Sequence, residues 1–275
     1  ISNQIFVFTK EPYSRWIFVT KQLKEELLGE TDLVVSAPSH QFRLDIYDNE
    51  QELEYLKKHD ETKEIFRFQV PDSLQAELFE HQIYGFNWLC NLSLERKGGL
   101  LADDMGLGKT LQVIAYLLYQ YEYDKGSFRP TLIVTPLALI ESWVREIKKF
   151  APRIANEIYI HRGSQRIRNN EWIQQQGIII TSYDTLRLEQ VPLGKVKFKN
   201  VICDEAQNVK SHSSQRSHAL RAMQADFRLA MTGTPVENNL DELWAIMDFV
   251  QPGYLGSLKD FRKTFVESRD YDGLI

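Results

Sequence analysis

The chain has little that would explain it by composition. Among its 275 residues there are two cysteines, Cys90 and Cys203, far apart and in unrelated contexts, so neither a disulfide framework nor a zinc-ligand spacing is available. That points to a reducing interior. The 6 histidines fall at no metal-ligand spacing either. No apolar run approaches the ~18 residues of a membrane span, and the N-terminus lacks the charged-then-apolar grammar of a secretion signal, so no membrane partner is expected. Charge of one sign is also lacking. The net charge of −5 excludes a surface built all round for polyanions, and any nucleic-acid contact has to be local. Two basic stretches, Arg162/Arg166/Arg168 and Lys195/Lys197/Lys199, read as solvated faces when taken alone. No internal repeat and no low-complexity tract occurs. With 43% hydrophobic and 26% charged residues, what remains is an ordinary globular composition.

What is present is a pattern. From residue 99 onward, short apolar runs alternate with amphipathic segments, which predicts parallel strands covered by helices on both faces. Strands are expected over 99–102, 131–135, 158–160, 178–182, 201–204 and 228–232, with helices over about 110–120 and 140–150. The runs LIV, III and VIC are continuously apolar, as strands buried on both faces should be. The fold class is therefore α/β, a doubly wound and mostly parallel sheet. Residues 1–71 read differently. Strand-like stretches at 5–9, 15–20 and 41–47 and helix-like ones at 22–28 and 50–58 suggest a small α+β appendage. Val70-Pro71-Asp72 is the expected junction, which makes residues 72–275 the main domain.

Three segments carry chemistry. The first is Asp103-Asp104-Met105-Gly106-Leu107-Gly108-Lys109-Thr110, between an expected strand and an expected helix. Gly106 and Gly108 let the backbone curl so that its N–H groups face inward, and the helix N-terminus adds positive potential for a β-phosphate. Lys109 can then reach the β- and γ-phosphates, and the Thr110 hydroxyl can ligand Mg²⁺. Asp103 stands where the usual phosphate loop has its first glycine. The second segment, Val201-Ile202-Cys203-Asp204-Glu205, is an apolar strand ending in two acids. Asp204 is placed to hold the metal shell and Glu205 to orient or deprotonate an attacking water. The third, Met231-Thr232-Gly233-Thr234-Pro235, puts two hydroxyls around a glycine at another strand end, where they can link the acid loop to neighbouring parts.

In order along the chain, the blocks DDMGLGKTLQ, LIVTPLALIESWVREIKKF, IIITSYDTLR, VICDEAQNVKS and LAMTGTPVENNLDELWAIMDFVQPGYLGS resemble the first, RecA-like lobe of a Swi/Snf-type superfamily-two helicase-like ATPase, over roughly residues 74–265. The resemblance implies ATP and magnesium as cofactors and an enzyme that translocates on double-stranded DNA and remodels protein–DNA complexes. A strand-separating DNA or RNA helicase and an ATP-gated scaffold are the alternatives. It implies that Gln82 reads adenine beside the Asp104–Thr110 loop, with Lys109, Asp204 and Glu205 catalytic. Gln207, Thr232, Gly233 and Thr234 couple hydrolysis to movement, and Thr135, Pro136, Leu137, Thr181, Ser182, Tyr183 and Lys210 lie along the DNA backbone. Such contacts hold phosphates without reading sequence. The chain departs from the family pattern at Gln207 (commonly histidine), Asp104 (glutamate), Phe79 (arginine) and Ala138 (serine). The resemblance also implies a second lobe with an arginine finger as partner. The sequence stops at Ile275, just after the first lobe's signature, so this stretch alone is expected to bind ATP and turn it over poorly.

Overall fold

The computed structural model describes residues 5–7, 17–19, 66–124, 129–164, 166–209, 211, 214–234 and 240–267. They fall into two units, one holding residues 66–251 and the other residues 5–7, 17–19 and 252–267.

The larger unit is a six-stranded, all-parallel sheet. Its strands are β3 (Gly99–Leu101), β4 (Thr131–Thr135), β5 (Ile158–His161), β6 (Ile178–Ser182), β7 (Lys197–Cys203) and β8 (Gln224–Met231), in the spatial order β3-β8-β7-β4-β6-β5. Burial follows that order. Every residue of the central β4 and β6 is buried, whereas the edge strand β5 is mostly half-exposed. β7 and β8 begin earlier than the sequence predicts. Their first residues are partly exposed, so the continuous apolar run marks only their second halves.

Helices cover both faces, as the doubly wound class requires. On one side lie α1 (Glu80–Leu94), α2 (Lys109–Tyr123) and α3 (Ile140–Phe150), which pack on one another and share a core with Ile133, Ile180, Ile202 and Leu229 of the strands. α3 shows the ordinary amphipathic spacing, burying Ile140, Trp143, Val144 and Ile147. α2 is different. Its residues from Gln112 to Leu118 are buried without a break, because it is wedged between α1, α3 and the sheet. The helix that follows the glycine loop is thereby fixed on all sides. The opposite face carries α5 (Tyr183–Leu188), α7 (Gln215–Arg221) and α8 (Leu240–Val250), while the short α4 (Asn170–Gln174) and α6 (Gln190–Gly194) pack together. Because all six strands run the same way, the loops after β3, β4, β6, β7 and β8 emerge at one rim, where open α/β sheets bind ligands.

In the smaller unit, strands β1 (Ile5–Val7) and β2 (Ile17–Val19) pair antiparallel, within two of the stretches expected to be strands. The other elements expected before residue 66 lie outside the described residues. Helix α9 (Leu258–Phe261), capped by Ser257, runs into a π-helical turn over Arg262–Glu267. No helix among the described residues is long and apolar enough to cross a membrane. Both cysteines are free and buried, and burial pushes each thiol up to about 12.

Candidate nucleotide site

The glycine loop sits between β3 and α2. Gly106 and Gly108 have φ of +91° and +81°, conformations that a side chain would strain, and Gly108 serves as the N-cap of α2. Lys109 opens the helix and curls back. Its Nζ donates to the carbonyls of Asp103 at 2.5 Å and Asp104 at 2.9 Å. The Asp103 carboxylate, in place of a glycine, accepts from Gln112 Nε2 at 2.8 Å and ties the start of the loop to buried α2.

Gln82 lies under this loop rather than beside it. It is buried, its Nε2 donates to Leu107 O at 3.1 Å, and its Oε1 accepts from Phe79 N at 3.0 Å. A Cβ on Gly108 would come within 2.4 Å of that same Nε2. In this structure the amide is bonded to the phosphate loop at Leu107.

The acid side is built from three elements. Asp204 follows β7 and is buried. Its Oδ2 accepts from Thr135 Oγ1 at 2.9 Å and from the Trp143 indole at 2.8 Å, and its Oδ1 accepts from Glu205 N at 3.0 Å. Burial pushes its carboxyl above the usual range. The Trp143 and Thr135 donors pull it back, and neighbouring Glu205 adds to the rise. Among the described residues no cation pairs with it. Behind it, the Tyr183 hydroxyl donates to Asp204 O and contacts Cys203 Sγ. Glu205 adopts φ of +51°, a left-handed conformation costing of order 1–3 kcal/mol in a residue other than glycine. Two bonds from Asn208 to the Glu205 carbonyl, at 3.0 Å and 2.9 Å, hold that turn.

A hydrogen-bonded chain links the acid side to the phosphate side. Gln207 Nε2 donates to Glu205 Oε2 at 2.6 Å, while Gln207 Oε1 accepts from Thr232 Oγ1 at 3.0 Å. Thr232 Oγ1 accepts from Thr234 N at 3.1 Å, and Thr232 N donates to Leu101 O at 3.1 Å. Next to it, a Cβ on Gly233 would come within 2.7 Å of Met105 Cγ, so the turn after β8 touches the phosphate loop. Glutamine thus bridges where relatives commonly have histidine, using one end of its amide as donor and the other as acceptor.

The structure brings Lys109, Asp204, Glu205, Gln207, Thr232 and Gly233 to one rim, and it buries several side chains of the expected DNA track. Thr135 and Thr181 have no exposed surface and Tyr183 almost none. Thr135 is spent on Asp204, Thr181 Oγ1 donates to His161 O at 2.7 Å, and Ser182 caps α5. Their side chains brace the rim from beneath. Exposed surface begins at Pro136 and Leu137, beside a shallow hollow also lined by Ser182, Tyr183, Asp184, Asn208 and Arg216. Lys210 lies outside the described residues. In the first basic stretch, Arg162 pairs with Glu141, and Arg166 and Arg168 both pair with Glu189. In the second, Lys199 pairs with Asp124 at 2.7 Å. Trp143 is buried on the amphipathic face of α3, and its bond to Asp204 has no signature in hydropathy, because an indole N–H leaves no trace there.

Comparison with known proteins identifies the family. The SNF2-related domain family matches residues 81–273. Among curated relatives, the chain is 34% identical over 242 residues to the putative ATP-dependent helicase/translocase YwqA of Bacillus subtilis, covering 87% of this chain and 26% of that protein. To the Zorya protein ZorD of Escherichia coli it is 39% identical over 227 residues, covering 72% and 21%. To the ISWI chromatin-remodeling complex ATPase CHR11 of Arabidopsis thaliana it is 32% identical over 234 residues, covering 82% and 22%. The chain therefore spans about a quarter of the length of these relatives. Among solved structures, the Sulfolobus solfataricus SWI2/SNF2 ATPase core in complex with dsDNA superposes with a TM-score of 0.63 at 34% identity, over 71% of this chain and 41% of that one. With the matched family spanning both the glycine loop and the acid pair, the chain belongs to the SNF2-related domain family, as a Swi/Snf-type first ATPase lobe.

Proposed function

We propose that this rim binds ATP with Mg²⁺, and that in the full-length protein its hydrolysis drives movement along double-stranded DNA and remodelling of bound protein. The observation that carries this reading is the continuous chain from the phosphate loop through Gly233, Thr232 and Gln207 to Glu205 and Asp204. The inward backbone amides around Gly106 and Gly108, with Lys109, hold the β- and γ-phosphates. Lys109 must leave the Asp103 and Asp104 carbonyls to do so, and a triphosphate replaces them with stronger charge-assisted bonds.

The residues present fit a divalent cation. Asp204 Oδ1 accepts a single bond, its carboxylate has no counter-charge among the described residues, and Mg²⁺ sites use one or two carboxylates plus substrate phosphates. Thr110 and Asp204 would hold it. Bound there, Mg²⁺ supplies neutralisation of charge on the transferring phosphoryl group. Glu205 orients or deprotonates the water, and its bond to Gln207 reports the state of that acid to Thr232 and Thr234 on the neighbouring strand end.

Residues 72–275 make up this lobe, residues 1–71 an accessory region, and a second RecA-like lobe completes the enzyme with an arginine. The relative crystallised in complex with dsDNA supports a duplex partner. The exposed part of the track starts at Pro136 and Leu137, and by its place in the sequence Lys210 is a further candidate for holding a DNA phosphate. Steady-state ATP hydrolysis by the full-length protein, with and without duplex DNA, tests the reading. Stimulation by duplex, with displacement of a bound third strand but no separation of the duplex, is expected. Turnover indifferent to DNA would overturn the translocase reading, and strand separation would favour a helicase.

A further inference from the structure

Two cysteines and four methionines carry the sulfur of the chain, and of these side chains only Met105 is exposed. Met223, Met231 and Met247 keep 1%, 1% and 5% of their surface, against 77% for Met105. Both cysteines are buried, and burial holds them as thiols rather than the reactive thiolates. Met105 sits in the phosphate loop, directly before Gly106 with its φ of +91° and directly after Asp104, whose carbonyl accepts from Lys109 Nζ. Its side chain reaches the turn after β8, where a Cβ on Gly233 would meet Met105 Cγ at 2.7 Å and Sδ at 3.8 Å. The thioether therefore lies between the phosphate loop and the chain from Thr232 through Gln207 to Glu205.

We propose that Met105 is a reversible oxidation site, at which hydrogen peroxide converts the thioether to the sulfoxide and so weakens nucleotide binding. The effect on binding rests on the nucleotide reading above. A lone pair on Sδ attacks the peroxide O–O bond; one oxygen stays on sulfur and the other leaves as water, so sulfur gives up two electrons and the peroxide takes them. A methionine sulfoxide reductase reverses the step, with two thiols becoming a disulfide and the oxygen leaving as water. Access is not a barrier, because hydrogen peroxide is little larger than water and enters any cleft that admits ATP. The buried sulfurs lack that access. Oxidation turns a flexible apolar side chain into a polar one with an acceptor oxygen. On a loop whose N–H groups face the phosphates, that oxygen competes for the same donors and repels the triphosphate. It also replaces the apolar contact with Gly233 by a polar group that has no partner there.

Titration of the full-length protein with hydrogen peroxide tests this, read by peptide mass spectrometry and by equilibrium binding of ATP, in the wild type and in Met105→Leu. Met105 should gain one oxygen, about 16 Da, ahead of Met223, Met231 and Met247. ATP affinity of the wild type should fall by roughly fivefold or more, the lower end of what a misplaced polar group costs, in step with the oxidised fraction at Met105. Treatment with a methionine sulfoxide reductase and a dithiol should restore it. Met105→Leu has no sulfur there to oxidise, so its affinities before and after peroxide should agree. Oxidation of the buried methionines ahead of Met105 would overturn the proposal. So would unchanged ATP affinity in protein oxidised at Met105, or equal peroxide sensitivity in Met105→Leu. Untreated wild type that binds no ATP would instead end the nucleotide reading, and the effect on binding with it, while the mass spectrum would still show whether Met105 is the sulfur that oxidises first.

Discussion

The two ends of the parallel sheet treat their polar groups in opposite ways. At the end where the strands begin, Asn200 is fully buried. Its Oδ1 accepts from Tyr116 OH at 2.9 Å, and its Nδ2 donates to Gln120 Oε1 and Thr131 Oγ1, each at 2.7 Å. Gln120 Nε2 closes the ring by donating to Tyr116 OH at 2.7 Å. Among the described residues, Asn200 has both amide ends engaged within the chain. At the other end, Asp204 keeps a buried carboxyl group with no cation beside it among the described residues, Glu205 is held in a left-handed turn, and Met105 is 77% exposed. One end is closed by the chain itself, whereas the other holds interactions that a phosphate and a cation would complete.

That contrast can be broken from either side. The largest expected effect is on chemistry. Glu205→Gln should lower turnover of the full-length protein by about 10²–10⁴-fold while leaving ATP affinity within a few-fold, since a positioned base is worth that much and contributes little to binding. Comparable turnover in a steady-state assay would remove Glu205 from the mechanism. Asn200→Ala should do the reverse. It strands Tyr116, Gln120 and Thr131 in the interior, so denaturant unfolding should show a loss of about 2–4 kcal/mol with ATP affinity unchanged.

His161 offers a pH test of the same idea. Both of its ring nitrogens are buried without a partner, and burial lowers it to about 4 despite the Glu189 carboxylate nearby. The unfolded chain takes up the proton near 6.5 and the folded chain only near 4, so stability should fall as pH drops through that window and level off below it. His161→Leu should flatten this limb, by of order 1–3 kcal/mol in melts compared at pH 7 and pH 4.5. An unchanged limb would assign it to other groups. The smallest effect is expected from Trp143→Phe, which keeps an aromatic ring in the core and removes the donor to Asp204. The Mg²⁺ concentration needed for half-maximal turnover should rise several-fold, with ATP binding in the absence of Mg²⁺ unchanged.

The end that proved legible in sequence was the rim, because its chemistry is spelled by residue types. Gly-x-Gly-Lys-Thr after a strand, adjacent acids after another and Thr-Gly-Thr after a third have few alternative explanations, and the parallel strands between them announce themselves as LIV and III. The beginnings of β7 and β8 did not, since Lys197, Lys199, Gln224 and Asp226 dilute the apolar signal exactly where the strands reach solvent. Also hidden were the bonds that hold the site. Trp143 reads as a core aromatic and Tyr183 as a residue along the DNA backbone, and only the fold turns their polar ends onto Asp204. Gln82 shows a related limit, since its bond to Leu107 O beneath the phosphate loop leaves no sign in residue type or spacing.

The central claim is that Lys109 and the two acids serve one triphosphate–metal pocket. The most direct test is ATP affinity measured with and without Mg²⁺ in the wild type and in Asp204→Asn. The account predicts that Mg²⁺ tightens ATP binding in the wild type and fails to do so in the variant, while the Mg²⁺-free affinities agree. Equal tightening in both proteins would contradict it, because the acid would then play no part in holding the metal beside the phosphates.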